Sequence, residues 1–364
     1  MRVACVVPYP PGSAPSQRFR LEQWQRPLAE AGITLEFFPF LDRAASARLY
    51  EEGRLWSKAR SVLSGTMRRL RWALREARGF DVVVIHREAV PLGLTWIETL
   101  LARRVPTVFD FDDAIWLPNV SPANRRFQGL KGFAKVDRAL AVCSVVSAGC
   151  RHLLDHARQH NPRVYLVPTS IDLDLYSPPR AHAPAETLTV GWTGSLTTSP
   201  YVALIAEPLR QAAARVRMEL VVFGGEVTIP GVRVRCVPWS ATGEVPLIRT
   251  FDVGLKPLPR TDWVRGKCPM KELQYMALGI PPVATRFGSS TESVEHGRTG
   301  FLCEADADWV DALVSLEDPA RRAAMGQAAR AVVEQLYSAT SAAAAFTRVL
   351  EAARAHFHLG GAQA

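Results

Sequence analysis

GKCPMKELQYMALGIPPVATRFGSSTESVEHGRTGFL, residues 266–302, is the stretch whose reading decides the fold. Residues 271–278 are helix formers throughout, and the run stops at Gly279-Ile280-Pro281-Pro282, a C-cap glycine followed by prolines. Val283, Ala284 and Thr285 predict a short buried strand, and Gly288-Ser289-Ser290 a turn at its carboxyl end. A helix amino terminus at Pro269 and a Gly/Ser turn after a strand both offer backbone N–H groups that can hold an anion. Helix, sharp stop, strand and turn together make the repeating unit of a parallel α/β sheet.

The same unit recurs outward in both directions. Residues 2–7 are an apolar run ending in a Pro/Gly/Ser loop over 8–16, with a helix predicted at 17–32. Strands are predicted at 33–40, 80–86, 106–111, 140–147 and 165–168, and helices at 91–103 and 148–160. The run FDVVVIH, residues 80–86, is continuously apolar, as in a parallel sheet covered on both faces. Proline-rich residues 176–186 read as a linker. A second series begins at 188–193, continues through strands at 219–223, 232–237 and 251–255, and ends in an alanine-rich helix at 338–355 with a frayed tail over 356–364. The first strand–loop–helix unit, residues 2–32, lacks G-x-G-x-x-G, so the dinucleotide fingerprint is absent there.

Composition bounds the function. With 364 residues, 48% apolar and 22% charged, the chain has length and core for two ordinary domains. Six scattered cysteines form no C-x-x-C pair, which argues against a disulfide framework or zinc ribbon and fits a reducing cytosol. No apolar run approaches a membrane span, and residues 1–7 are too short for a signal peptide. Net charge is +9, and residues 43–78 hold ten basic against three acidic side chains, interleaved with Leu55, Trp56, Val62, Leu63, Met67, Leu70, Trp72 and Leu74. Such a helix suits an anionic membrane surface or an anionic acceptor, or is a solvated face. No nucleic-acid-binding motif accompanies the charge.

The run G-K-x-x-x-K-x-L-x-Y-M-A-x-G-x-P-x-V-A followed by G-x-x-x-E-x-V-x-x-G-x-x-G-F-L resembles the donor-nucleotide segment of family 4 glycosyltransferases, retaining enzymes of the GT-B fold. The resemblance implies an α/β protein with two Rossmann-like, doubly wound parallel-sheet domains facing a cleft. It places an acceptor-side domain at 1–176, a nucleotide-sugar domain at 187–337, and a helix at 338–364 crossing back to the first domain. The implied reaction moves a sugar from a nucleotide-sugar, UDP- or GDP-linked, to a hydroxyl of a carbohydrate, lipid-linked or small-molecule acceptor. No cofactor is required by that scheme, and a divalent metal stays open. Two other readings of the same fold are a sugar-nucleotide binder without transfer activity and a sugar-nucleotide epimerase. A cytoplasmic protein, peripheral at the inner face of the membrane, is the implied location.

Site residues follow motif by motif. Asp110, Asp112 and Asp113 cluster at a strand end, where burial without compensation would be costly. They suit a polar contact to the reacting sugar, a base for the acceptor hydroxyl or a metal site, or Asp113 caps the next helix. Strand alternation would point Asp110 and Asp112 one way and Asp113 the other. Ser13, Arg18, His86 and Arg87 lie on loops and helix starts of the acceptor side. On the donor side, Gly194, Ser195 and Thr197 offer backbone N–H groups and a hydroxyl where many relatives carry an arginine and a lysine. Arg265, Lys267 and Lys271 bring positive charge beside the helix start, with Lys267 as the expected diphosphate clamp. Ser289, Ser290 and Glu292 follow the Gly/Ser turn. The family's two glutamates are replaced by Gly266 and Gln274, of which only Gln274 can still bond a ribose hydroxyl.

Overall fold

The computed structural model describes residues 1–48, 55–91, 93, 95–118, 132–178, 186–240 and 242–361. Of the expected linker, 179–185 lies outside the described residues, as do 49–54 of the basic segment. Two compact units divide the chain. One comprises Met1–Thr169, Gly266–Cys268 and Ala339–Ala364, the other Ser170–Arg265 and Pro269–Ser338.

The first unit is built on six parallel strands: β1 (Arg2–Val7), β2 (Thr34–Pro39), β3 (Val82–His86), β4 (Thr107–Phe111), β5 (Val145–Ala148) and β6 (Val164–Leu166). Their order is β2-β1-β3-β4-β5-β6, so the chain reverses direction across the sheet between β1 and β3. All five residues of β3 and of β4 are buried, as strands covered on both faces must be. One covering layer is the helix Ala339–Gly361, whose Phe346, Val349 and Leu350 join Trp24 and Leu28 in the core, with Trp24 and Phe346 ring centroids 4.9 Å apart.

The second unit repeats the plan with β7 (Leu188–Thr193), β8 (Met218–Phe223), β9 (Arg233–Val237), β10 (Val253–Lys256), β11 (Pro282–Thr285) and β12 (Phe301–Cys303), all parallel. The order β12-β11-β10-β7-β8-β9 puts its reversal between β7 and β10. Edge strand β9 is mostly solvent-facing, and Arg233 and Arg235 meet Glu219 of β8 at 3.1 and 3.4 Å. Charges on an exposed edge oppose strand-to-strand association.

Three expectations need correction. Residues 140–147 are not one strand: the helix Lys135–Val142 runs through Leu140, and β5 starts only at Val145. Val136, Ala139 and Leu140 are its buried face, a helical spacing that the apolar run disguised. The helix expected at 17–32 is three short pieces, Pro15–Arg20, Glu22–Trp24 and Gln25–Glu30. Pro27 has no N–H to donate, so it sits in the first turn of the last piece. The terminal helix does not fray after Ala355 but continues to Gly361.

Candidate functional site

Ligands of open α/β sheets bind outside the carboxyl ends of the strands, at the reversal point. In the first unit that point is the end of β1 and β3, where His86 is the last residue of β3. His86 is buried between two partners: Nδ1 lies 2.8 Å from Asp110 Oδ2, and Nε2 lies 3.0 Å from Ser16 Oγ. Asp110 is fully buried and ionised. Burial opposes its charge, but the Arg20 guanidinium and His86 hold its carboxyl well below the usual range. An ionised Asp110 can only accept, so Nδ1 donates to it, while the Ser16 hydroxyl lies between Nε2 and the Asp112 carboxylate, with which it also hydrogen-bonds. Arg20 is equally buried. It pairs with Asp110 and donates to the Val167 carbonyl and, at 3.1 Å, to Ser147 Oγ.

Arg87 follows directly. At φ 64° it is the single described non-glycine residue in the left-handed region, a conformation costing about 1–3 kcal/mol and met mainly at functional sites. The bend turns its guanidinium onto Asp112, at 2.9 Å, and onto Asp113. β4 ends at Phe111, so the alternation expected for the aspartates does not extend past it. Asp110 serves Arg20 and His86, whereas Asp112 and Asp113 together grip Arg87. No helix starts at Asp113 within the described residues, so it caps none. The two neighbouring carboxyls separate in acidity. Burial works against both charges, yet Arg87 and His86 keep Asp112 low, while Asp113 is raised by burial and by the Asp112 charge against the pull of Arg87 and Lys267. A cavity of about 80 Å³ opens beside Arg87, lined also by Pro8, Tyr9, Glu88 and Lys135.

Gly266–Cys268 belongs to this first unit. A Cβ on Gly266 would stand 2.7 Å from Ala114 Cβ and 3.0 Å from Leu153 Cδ2, so a glutamate, as in the family pattern, would have to displace Ala114. Lys267, expected at the donor diphosphate, lies close enough to Asp113 for its charge to act on that carboxyl. Of the other acceptor-side residues, Ser13 donates its hydroxyl to the Pro10 carbonyl at 2.6 Å, and Arg18 lies over the Phe19 ring at 4.6 Å.

In the second unit the loop after β7 lies at the reversal point. Gly194 is required there, since a Cβ would fall 2.2 Å from the Trp192 ring. Its N–H is taken by the Phe223 carbonyl at 2.9 Å, the Ser195 N–H by Thr198 Oγ1 at 3.2 Å, and the Ser195 and Thr197 hydroxyls bond each other at 2.9 Å. The donors that sequence reasoning offered to a phosphate are thus internally satisfied, and an anion would have to displace them. Lys271 is brought here: its ammonium lies 4.4 Å from the centre of the Trp192 ring. Arg265 lies over the Phe287 ring at 5.0 Å, beside the Gly288-Ser289-Ser290 turn.

Gln274 is buried and donates to Tyr176 Oη at 2.7 Å and Glu244 Oε1 at 3.2 Å. Glu272, absent from the sequence-derived set, is buried two residues earlier in the same helix, where Oε1 accepts from Lys256 and, at 2.7 Å, from Ser290 Oγ. Ser289 is buried, and Glu292 lies half-buried in the short helix Ser290–Ser293, its backbone carbonyl accepting from Tyr337 Oη at 3.1 Å. A recess of about 360 Å³, lined by Phe223, Val237, Pro238, Leu247 and Thr250, opens at the carboxyl ends of β8 and β9. Ser16, Arg20 and Glu272 carry no local sequence signal of their roles, since their partners lie 70, 90 and 16 residues away.

Residues 187–318 match the family model described as Glycosyl transferases group 1, a range that lies in the second unit apart from Gly266–Cys268. D-inositol 3-phosphate glycosyltransferase of Pseudarthrobacter chlorophenolicus is 26% identical over 221 residues, 53% of this chain and 51% of that protein. The same-named protein of Arthrobacter sp. is 47% identical over 60 residues, 16% of this chain and 14% of that one, so the chain spans about half or less of the curated relatives it matches. Among solved structures, Anabaena HepE in complex with UDP and glucose superposes with a TM-score of 0.63 at 16% identity, covering 96% of this chain and 99% of that one. Sucrose-phosphate synthase of Thermosynechococcus elongatus gives 0.65 at 14% identity, covering 96% and 98%. These likenesses show the GT-B fold, and the family match agrees with the resemblance carried by residues 266–302.

Proposed function

We propose that this protein, a GT-B-fold chain bearing a group 1 glycosyltransferase segment, transfers a sugar with retention from a nucleotide-sugar to an acceptor hydroxyl. The observation that carries this reading is the coincidence of the family match over 187–318 with a doubly wound sheet whose reversal point holds the Gly194 loop and Lys271. The second unit binds the donor. Lys271 takes the diphosphate beside the Gly194 loop, and the recess beside Phe223 and Val237 takes the nucleobase. A uridine or guanosine diphosphate suits this site, and UDP is the nucleotide held by the Anabaena protein.

The first unit binds the acceptor. Asp112 and Asp113, fixed by Arg87, hold its hydroxyls, and Asp110 orients the His86 ring at the reversal point. Front-side attack needs no enzymic nucleophile, because the leaving phosphate assists the acceptor's deprotonation while fixed cations stabilise the departing charge. The acceptor is a carbohydrate, a lipid-linked sugar or a small polyol. Exposed Trp56, Leu63, Met67 and Leu74, with Arg60, Arg71 and Arg75, support peripheral contact with an anionic membrane through the helix Leu55–Arg75. No helix of the described residues is long and apolar enough to cross a membrane.

The test is donor turnover. UDP- and GDP-sugars are offered with polyol, glycan and lipid-linked acceptors, and nucleoside diphosphate release and product anomeric configuration are read. Release that depends on acceptor, with the anomeric configuration kept, is expected. Binding without release would leave a sugar-nucleotide binder, and an epimerised free sugar would replace transfer by epimerisation.

A further inference from the structure

We infer that Asp137, His156 and His160 form a binding site for one divalent transition-metal ion of the zinc class, separate from the aspartates at the end of β4. Asp137 lies in the first turn of the helix Lys135–Val142, His156 in the last turn of the helix Arg151–Arg158, and His160 two residues beyond it. Both imidazoles aim the same atom, Nε2, at the same oxygen: Asp137 Oδ1 is 2.8 Å from His156 and 3.4 Å from His160. The three ligating atoms all lie within 4.8 Å of one another. A tetrahedral ion held at about 2.0–2.1 Å needs its ligand atoms roughly 3.3 Å apart, so the three atoms need only small adjustments to share one ion.

The rings are held from outside the cluster. Trp116 stacks on His156 with centroids 3.7 Å apart and planes 2° from parallel, which fixes the imidazole plane. Side-chain exposures of 16%, 28% and 36% for His156, His160 and Asp137 leave a fourth coordination position to water. Two imidazoles and one carboxylate favour Zn²⁺, Co²⁺ or Ni²⁺ over Mg²⁺ or Ca²⁺, which take oxygen ligands. Bound there, the ion ties the two helices together. It also fixes Trp116, three residues past Asp113, and so steadies the loop that carries the aspartates.

The experiment titrates chelator-stripped protein with Co²⁺ and Zn²⁺, reading visible d–d absorption and calorimetric stoichiometry. One ion per chain at micromolar concentration is expected, without a cobalt–thiolate charge-transfer band. His160→Ala and Asp137→Asn should each weaken binding by tenfold or more, and His152→Ala, which removes a neighbour of Trp116 but no ligand, should leave it unchanged. Imidazole nitrogen resonances of the unaltered protein give a reading that needs no variant: those of His156 and His160 should shift with Zn²⁺. Absent saturable binding, a thiolate band, unmoved imidazole resonances, or full affinity in a folded His160→Ala would each overturn the assignment.

Discussion

At the scale of the residue, the Arg20–Asp110 pair dominates the first unit. Both groups are out of water, so removing one leaves an uncompensated buried charge, at a cost of about 3–5 kcal/mol. Arg20→Met should therefore lower the denaturation midpoint sharply, and a midpoint within error of the parent would show the pair to be unimportant. The pH dependence follows from Asp110's depressed acidity. Its contribution is complete above the unfolded carboxylate value of about 3.9 and is lost as pH falls below it towards the folded value. Melting temperature should fall with acidification below about pH 4 more steeply in the parent than in Asp110→Asn, whereas parallel curves would contradict the assignment. Gly266→Ala, with its Cβ against Ala114, should cost about 1–3 kcal/mol by overpacking. The aspartate cluster was legible in the sequence because three carboxylates at a strand end demand compensation. Which cation meets which carboxylate was not, since Arg20 and Asp110 are brought together only by the sheet order. Lys267 shows the same limit: its charge was visible, but its companion Asp113 was not.

At the scale of the element, periodicity located most strands to within two residues and failed where two elements abut. Leu140, Ala141 and Val142 close a helix, and Val145 opens a strand, yet together they read as one apolar run. The helix Ala339–Gly361 was legible from its alanines, and its core contacts give it a measurable role: Phe346→Ala, removing the ring packed on Trp24, should cost about 3–5 kcal/mol by equilibrium unfolding. The basic helix Leu55–Arg75 proves to be two things. Arg69 is buried and donates to the Phe38 and Val7 carbonyls at 2.9 and 3.2 Å, with burial and Arg68 lowering its pKa to about 9. Charge counting could not separate this internal clamp from the exposed residues. Sedimentation with vesicles should reveal the exposed part. Binding to anionic but not neutral vesicles, weakened by Trp56→Ser with Met67→Ser and by salt, is expected, and equal partition to both vesicle types would remove the membrane contact.

At the scale of the whole molecule, two six-stranded parallel sheets of related plan were legible because each βα unit repeats the same punctuation. The assignment of Gly266–Cys268 to the first unit was not, since their neighbours in sequence on both sides belong to the second. In the second unit Lys271 is the cation beside the Gly194 loop, and it is the one proposed for the diphosphate. Lys271→Ala should weaken nucleoside diphosphate binding by about tenfold to a hundredfold, the worth of a charge-assisted contact of about 1.5–3 kcal/mol. The most direct measurement is a thermal-shift series of the folded protein against UDP, GDP, ADP, dTDP and their sugar conjugates. A ligand of the native state must raise the melting temperature by mass action. A concentration-dependent rise with one nucleotide and its sugar conjugate, reduced in Lys271→Ala, is expected; a melting temperature unmoved by every one of them would contradict a donor site in the second unit.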